Sequence, residues 1–193
     1  MRATRFSKLL VKGAPASEIP LQIKQAASQT GKALQIVDSS DNEIFAIGAN
    51  GYGATRYAEV SLTNAEIKAL RATPKTLVAA PGAGLLLEFV SAVLFLDYGS
   101  NVLTESADNM AVKYTDGSGT AVSETIECTG FIDQSADTMT TARAKVDGIV
   151  AKSGCENKAL VLHQTGDGEW GGNAGSDTTM RVKVAYRVHK TDW

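Results

Sequence analysis

From Thr179 to His189 the chain alternates. Met180, Val182, Val184, Tyr186 and Val188 fall on one face, and Arg181, Lys183, Arg187 and His189 on the other. Such a period of two predicts a β-strand with one packed face and one face against water or another polar surface. Weaker patterns of the same kind place strands at 76–80, 85–98, 110–115, 121–128 and 159–163. Turn clusters at Pro81-Gly-Ala-Gly84 and Asp116-Gly-Ser-Gly119 and the Gly-rich stretch 166–175 separate them. The run from Leu85 to Tyr98 is apolar on both faces, as a sandwich interior or a subunit interface requires, with a bend expected near Ser91. Residues 133–150 leave helix and strand both open. Ala142, Val146, Ile149 and Val150 have helical spacing, while Gly148 and the Thr-rich 138–141 oppose it.

Towards the N-terminus the pattern changes. Leu21 and Ile23, then Leu34 and Ile36, then Ile44 and Ile47 alternate with polar residues, which predicts short strands between the turns at 38–42 and 49–51. A few short strands cannot close a core alone, so these six residues are expected to meet equivalent residues of other copies around an axis, as a trimer interface. A helix start follows: Thr63 as N-cap, Glu66 completing a capping box, and Leu62 with Ile67 as a hydrophobic staple. Pro74 ends that helix, whose apolar positions are Ile67 and Leu70. The expected organisation is an extended basic arm at 1–18, a β-rich trimerising segment at 19–56, a helical connector at 57–75 and a sandwich at 76–193. The fold class is mainly β, with an antiparallel, jelly-roll-like β-sandwich as C-terminal domain.

Composition narrows the function. With 19 Lys+Arg against 21 Asp+Glu and a net charge of −2, the chain lacks the excess of cations that phosphate binding uses, and no nucleic-acid partner is expected. The charge is uneven, however. Arg2, Arg5, Lys8 and Lys12 stand in a segment with one acid, Glu18, and no core of its own, so this arm is expected to order only against a partner. Cys128 and Cys155 are 27 positions apart and read as small buried hydrophobes, not as a disulfide framework or metal pair. The apolar run 85–98 is interrupted by Glu88 and Ser91 and is too short to span a bilayer. The cluster Leu9-Leu-Val11 is too short for a secretory core. No membrane partner is expected, and synthesis is expected to be cytoplasmic.

The residues that could carry chemistry do not assemble a motif. His163 and His189 show no paired-ligand spacing, and His163 at the end of an apolar strand reads as a buried imidazole. Gly51-Tyr-Gly53 and Gly82-Ala-Gly84 lack the further glycine and the strand-to-helix setting of a dinucleotide loop. Ser118 sits in a hairpin turn and not in a nucleophile elbow. Asp167, Glu169 and Asp177 could offer oxygen ligands, but their spacing is that of no Ca²⁺ loop. Trp170, in the same stretch, reads either as an exposed anchor for a neighbour, with Asp167 and Glu169 in one contact loop, or as a lid on the sandwich end. Trp193 reads as a second contact aromatic. No enzyme, metal site or organic cofactor is expected.

Two stretches resemble phage structural proteins. Residues 19–51, containing PLQIKQAASQTGKALQIVDSSDNEIFAIGANG, resemble a unit of tail-fibre and head-fibre proteins of tailed bacteriophages, matching at Ala27, Ser28, Gln29, Thr30, Asp38, Ser39, Ser40, Asn50 and Gly51. They depart at Asp41, where the usual residue is Gly, and at Gln35-Ile-Val37, which lacks the common aromatic. Residues 73–193 resemble the β-sandwich module of small phage virion proteins. The resemblance implies a β-rich trimeric assembly, and with it a capsid decoration (cement or head-fibre) protein: a homotrimer that binds the major capsid protein on the head surface through the basic arm. The alternative is a short tail-fibre or receptor-binding protein that presents residues 166–175 to a host glycan.

Overall fold

The computed structural model describes residues 34–37, 43–47, 54–105, 108–166 and 168–192. The chain divides after Gly51 into two units. In the first, β1 (Leu34–Val37) and β2 (Glu43–Ile47) form an antiparallel hairpin. Leu34 lies opposite Ile47 and Ile36 opposite Phe45, and Ile44 is the extra residue of a bulge between the pairs Ile36–Phe45 and Val37–Glu43. Leu21 and Ile23, the other two expected interface residues, and the arm residues Arg2, Arg5, Lys8 and Lys12 lie outside the described residues.

The second unit contains β3 (Arg56–Leu62), α1 (Asn64–Lys68), β4 (Lys75–Val78), β5 (Leu85–Asp97), β6 (Leu103–Thr104), β7 (Met110–Tyr114), β8 (Thr138–Arg143), α2 (Lys152–Cys155), β9 (Leu160–Gln164), β10 (Gly171–Gly172) and β11 (Thr179–Lys190). They make a four-stranded sheet, β3-β11-β5-β8, and a three-stranded sheet, β4-β9-β7, with a small β10-β6 pair. All pairings are antiparallel. Inner residues of both sheets, among them Leu94, Val182 and Val184 from the larger and Val112, Leu160 and Leu162 from the smaller, share one core. The protein is mainly β and sandwich-like, as the alternation predicts.

β11 lies between β3 and β5, where its period of two serves both neighbours: Val182 and Val184 point into the core and Arg181 and Lys183 away from it. The expected bend in β5 is a bulge. The register runs from Ser91–Ala185 to Phe89–Tyr186, leaving Val90 unpaired, so that Leu87, Phe89, Ala92, Leu94 and Leu96 all stay buried although their parity changes. The capping box of α1 is present: Glu66 N donates to Thr63 Oγ1 and Thr63 N to Glu66 Oε2 at 2.9 Å. Leu62 and Ile67 are both buried beneath it.

Two expectations change and one open stretch is decided. Residues 57–62 are not part of a helical connector but of strand β3, because Ala58, Val60 and Leu62 complete the inner face beside β11. Residues 121–128 make isolated bridges, Ala121 and Ile126 to Lys113 and Met110 of β7 and Ser123 to Ala144 just past β8, and no continuous strand. Within 133–150, residues 138–143 form β8 and not a helix. The β preference of the threonines and the partner edge of β5 outweigh the helical spacing, and this leaves Val146 and Ile149 87% and 95% exposed.

Candidate functional site

The outer face of the four-stranded sheet is laid out by the register as three rows. Across β3, β11, β5 and β8 they are Tyr57, Ala185, Ser91, Arg143; Glu59, Lys183, Val93, Thr141; and Ser61, Arg181, Phe95, Met139. These are the residues that alternate with the buried set. The face therefore combines apolar groups open to solvent, Tyr57, Val93 and Met139, with charges of which Arg181, Lys183 and Glu59 already have partners. Arg181 clamps Asp97 with both forks, Nε to Oδ2 and Nη2 to Oδ1 at 2.8 Å each, and its guanidinium lies 4.7 Å from the centre of the Phe95 ring. Lys183 pairs with Glu59 at 2.9 Å and lies 5.8 Å from the Tyr57 ring. The Lys183 ammonium holds the Glu59 carboxyl below its usual range. A shallow hollow of about 340 Å³ opens between these side chains. Further along β11, Glu88 accepts from Arg187 Nη1 at 3.1 Å and meets His189 Nε2 at 2.7 Å. Pre-paired charges around aromatic and aliphatic groups suit contact with protein, because docking strands no unpaired ion.

The stretch expected to be an exposed contact loop is exposed only in part. Trp170 is only 3% exposed, so it is part of the core and not an anchor for a neighbour. Gln164, buried at the end of β9, donates to Asp108 Oδ2 at 3.0 Å and to the Gly168 carbonyl. Glu169 is exposed but accepts from Ala72 N at 2.8 Å. Asp167 lies outside the described residues. Beyond Trp170, Asn173 is buried in a left-handed conformation (φ 42°). Its Oδ1 accepts from Asn64 Nδ2 at 2.7 Å, from Asp177 N at 3.0 Å and from Thr178 N at 3.2 Å, while its Nδ2 donates to Asn101 O and to Asp177 Oδ1. This network was not anticipated from the sequence. Asp177 is one of its members: the Asn173 amide and the Ser100 N–H hold its carboxyl down to about 2.

No protein-family model matches the chain. No curated protein matches it. Among solved structures the chain is similar to one in the structure of infectious bursal disease virus, Gx strain, at 15% identity and a TM-score of 0.22, over 82% of this chain and 42% of that one. This chain thus spans less than half the length of that one, and at that score the two cannot be said to share a fold.

Among the described residues no group of three or more His, Cys, Asp or Glu side chains could hold a metal ion, and no helix is long and apolar enough to cross a membrane. Ser118 stays in its turn, where Asp116 Oδ1 accepts from both its N–H and its hydroxyl. Burial pushes the Cys128 thiol up, away from the thiolate that a nucleophile needs. Burial also pushes the Tyr114 hydroxyl up to about 12, and that hydroxyl donates to the Leu87 carbonyl. His163 is buried as expected, with Nδ1 unpaired among the described residues and Gly117 so close that a Cβ there would meet Nε2 at 2.5 Å. Its burial, with Lys113 and Arg71 nearby, lowers its pKa.

Stability should therefore fall in two acid steps. The unfolded chain protonates His163 near pH 6.5 while the folded chain resists, so stability falls as pH drops below about 6.5. Asp177, depressed in the folded state, contributes stability above about pH 4 that is lost as pH approaches 2. Thermal melts across pH 8 to 2 check this. His163→Gln should flatten the first step and Asp177→Asn the second, and unchanged pH profiles would refute both assignments.

Proposed function

We propose that this chain is a viral structural protein, specifically a phage capsid decoration protein that assembles as a homotrimer and attaches to the outside of the head through its basic arm. The observation that carries the reading is the union, in one chain, of the fibre-like stretch 19–51 with a sandwich whose larger sheet leaves its outer face open among the described residues. A two-stranded hairpin such as β1-β2 is marginal by itself, and Ile36 in it is exposed, so equivalent hairpins from other copies supply the cover it lacks. The arm contributes Arg2, Arg5, Lys8 and Lys12. Three arms binding at once raise avidity far above that of one.

Light scattering should report about 61 kDa, three times 20.3 kDa. Deleting residues 2–17 should leave that mass unchanged and abolish co-sedimentation with undecorated heads, while the full chain's binding should weaken as salt rises. If the truncated protein decorates heads as well as the full chain, the arm has no such role. If the full chain binds host cells and not heads, the protein is a tail fibre instead.

A further inference from the structure

We infer that the four-stranded sheet is continued from copy to copy: the outer edge of β8 in one copy pairs antiparallel with the outer edge of β3 in the next. The inference begins with the direction of the backbone groups. Arg143 O accepts from Glu124 N, on the side away from β5. In an antiparallel strand the N–H and C=O of every second residue point the same way, so those of Met139 and Thr141 also face outward. Their pairs with β5, Met139–Phe95, Thr141–Val93 and Arg143–Ser91, are then the non-hydrogen-bonded kind. Phe95, Val93 and Ser91 accordingly bond to Arg181, Lys183 and Ala185 of β11. Those three face away from β3, so their partners Ser61, Glu59 and Tyr57 send their own backbone groups to the far edge.

At both edges, therefore, the outward-pointing backbone belongs to residues whose side chains lie on the same outer face. A ladder joining the two edges keeps the inner and outer faces in register, with no residue turned over. Directions agree as well. β3, β11, β5 and β8 alternate, so rotating a copy about an axis along the strands sets β3 antiparallel to β8. Among the described residues no hydrogen bond reaches the outer side of β8 at Met139 or Thr141, or of β3 at Tyr57, Glu59 or Ser61.

The side chains favour the same junction. Edge strands are usually blunted by charge or proline, yet Thr138-Met-Thr-Thr-Ala142 has neither. Met139 is 58% exposed and Tyr57 66% exposed, one at each edge, and the junction brings them onto one surface. At Arg143 that edge is already taken by Glu124 of the same chain, so the junction runs along 138–142. Such a contact is heterologous, and it closes into a ring when the rotation between copies returns to the start. Closure after three copies rests on the homotrimer reading, whereas the edge pairing does not.

Proline substitution in the full-length chain tests it, because proline removes a single N–H and is tolerated where that N–H faces out of an edge strand. Thr141→Pro and Ser61→Pro, on opposite edges, should each keep the circular dichroism of the fold and make the trimer dissociate on dilution, the mass by light scattering falling from about 61 towards about 20 kDa at concentrations where the wild type stays trimeric, one copy being 20.3 kDa. Thr140→Pro, which takes its N–H from the ladder with β5, should unfold the domain. Hydrogen exchange on the wild-type chain gives an answer independent of any variant: the Met139 and Thr141 amides should be as protected as that of Thr140 in the assembly. Outward variants that dissociate no more readily than the wild type, or Met139 and Thr141 amides that exchange freely, overturn the edge pairing and leave the homotrimer standing. A wild-type monomer at micromolar concentration overturns both.

Discussion

Replacing Leu94 with alanine will destabilise the sandwich by about 3–5 kcal/mol, the upper part of the range for a leucine deleted from a close-packed core. Leu94 is fully buried in β5, with Val182 of β11 on one side and Thr140 of β8 on the other. The surrounding strands are tied by their ladders and cannot collapse into the space, so the lost contacts are not recovered. Since a domain of this size has a total stability on the order of 5–15 kcal/mol, the variant will melt about 10 °C lower or more. Denaturant titration should show a lower midpoint with an unchanged slope. Ile149→Ala is the matched control: the same class of side chain, 95% exposed, should change stability by less than about 0.5 kcal/mol. Equal losses at the two positions would contradict the placement of the core.

Asn173→Ala will cost about 3–5 kcal/mol by a different route. Its amide group is shared among Asn64, Asn101, Asp177 and Thr178, which come from the helix α1, the loop after β5 and the approach to β11. Removing it takes the acceptor from two buried donors, Asn64 Nδ2 and Thr178 N, at about 1–3 kcal/mol each where water cannot replace the partner, and frees the part-buried groups of Asp177 and Asn101. The backbone contributes less: Asn tolerates the left-handed conformation that alanine resists. Asn173→Gly separates the two effects. It relieves the backbone but restores no hydrogen bond, so its loss should nearly equal that of the alanine variant, and a glycine variant close to wild type would show that conformation and not the network matters.

The contrast between Leu94 and Asn173 also explains what could be read from the chain. β5 and β11 are long, with inward positions filled by Leu, Val and Met, so their alternation is visible within a single window. The helix start at Thr63 is equally local, since cap and box lie three residues apart. β3 escaped because its inward positions include Ala58 and its outward ones Tyr57, which blurs the contrast that marks a strand. The stretch 166–178 reads as a solvated loop from its glycines and polar residues. Most of it is exposed, but Asn173 is drawn inward by partners about 70 to 110 positions away, Asn101 and Asn64, and no local pattern carries that information. Trp170 is buried as well, whereas apolar groups open to solvent lie on the sheet, in the outward half of an alternation that the sequence shows plainly for β11.

The central claim, that this chain covers the outside of a phage head as a trimer, is tested most directly by a cryo-EM map of intact particles. The account predicts three-fold density on the head surface that accepts three copies of the sandwich, with each β8 edge against the β3 edge of a neighbour and a connection running down to the capsid. Density for this fold at the tail tip, or bare heads from particles that contain the protein, would contradict it.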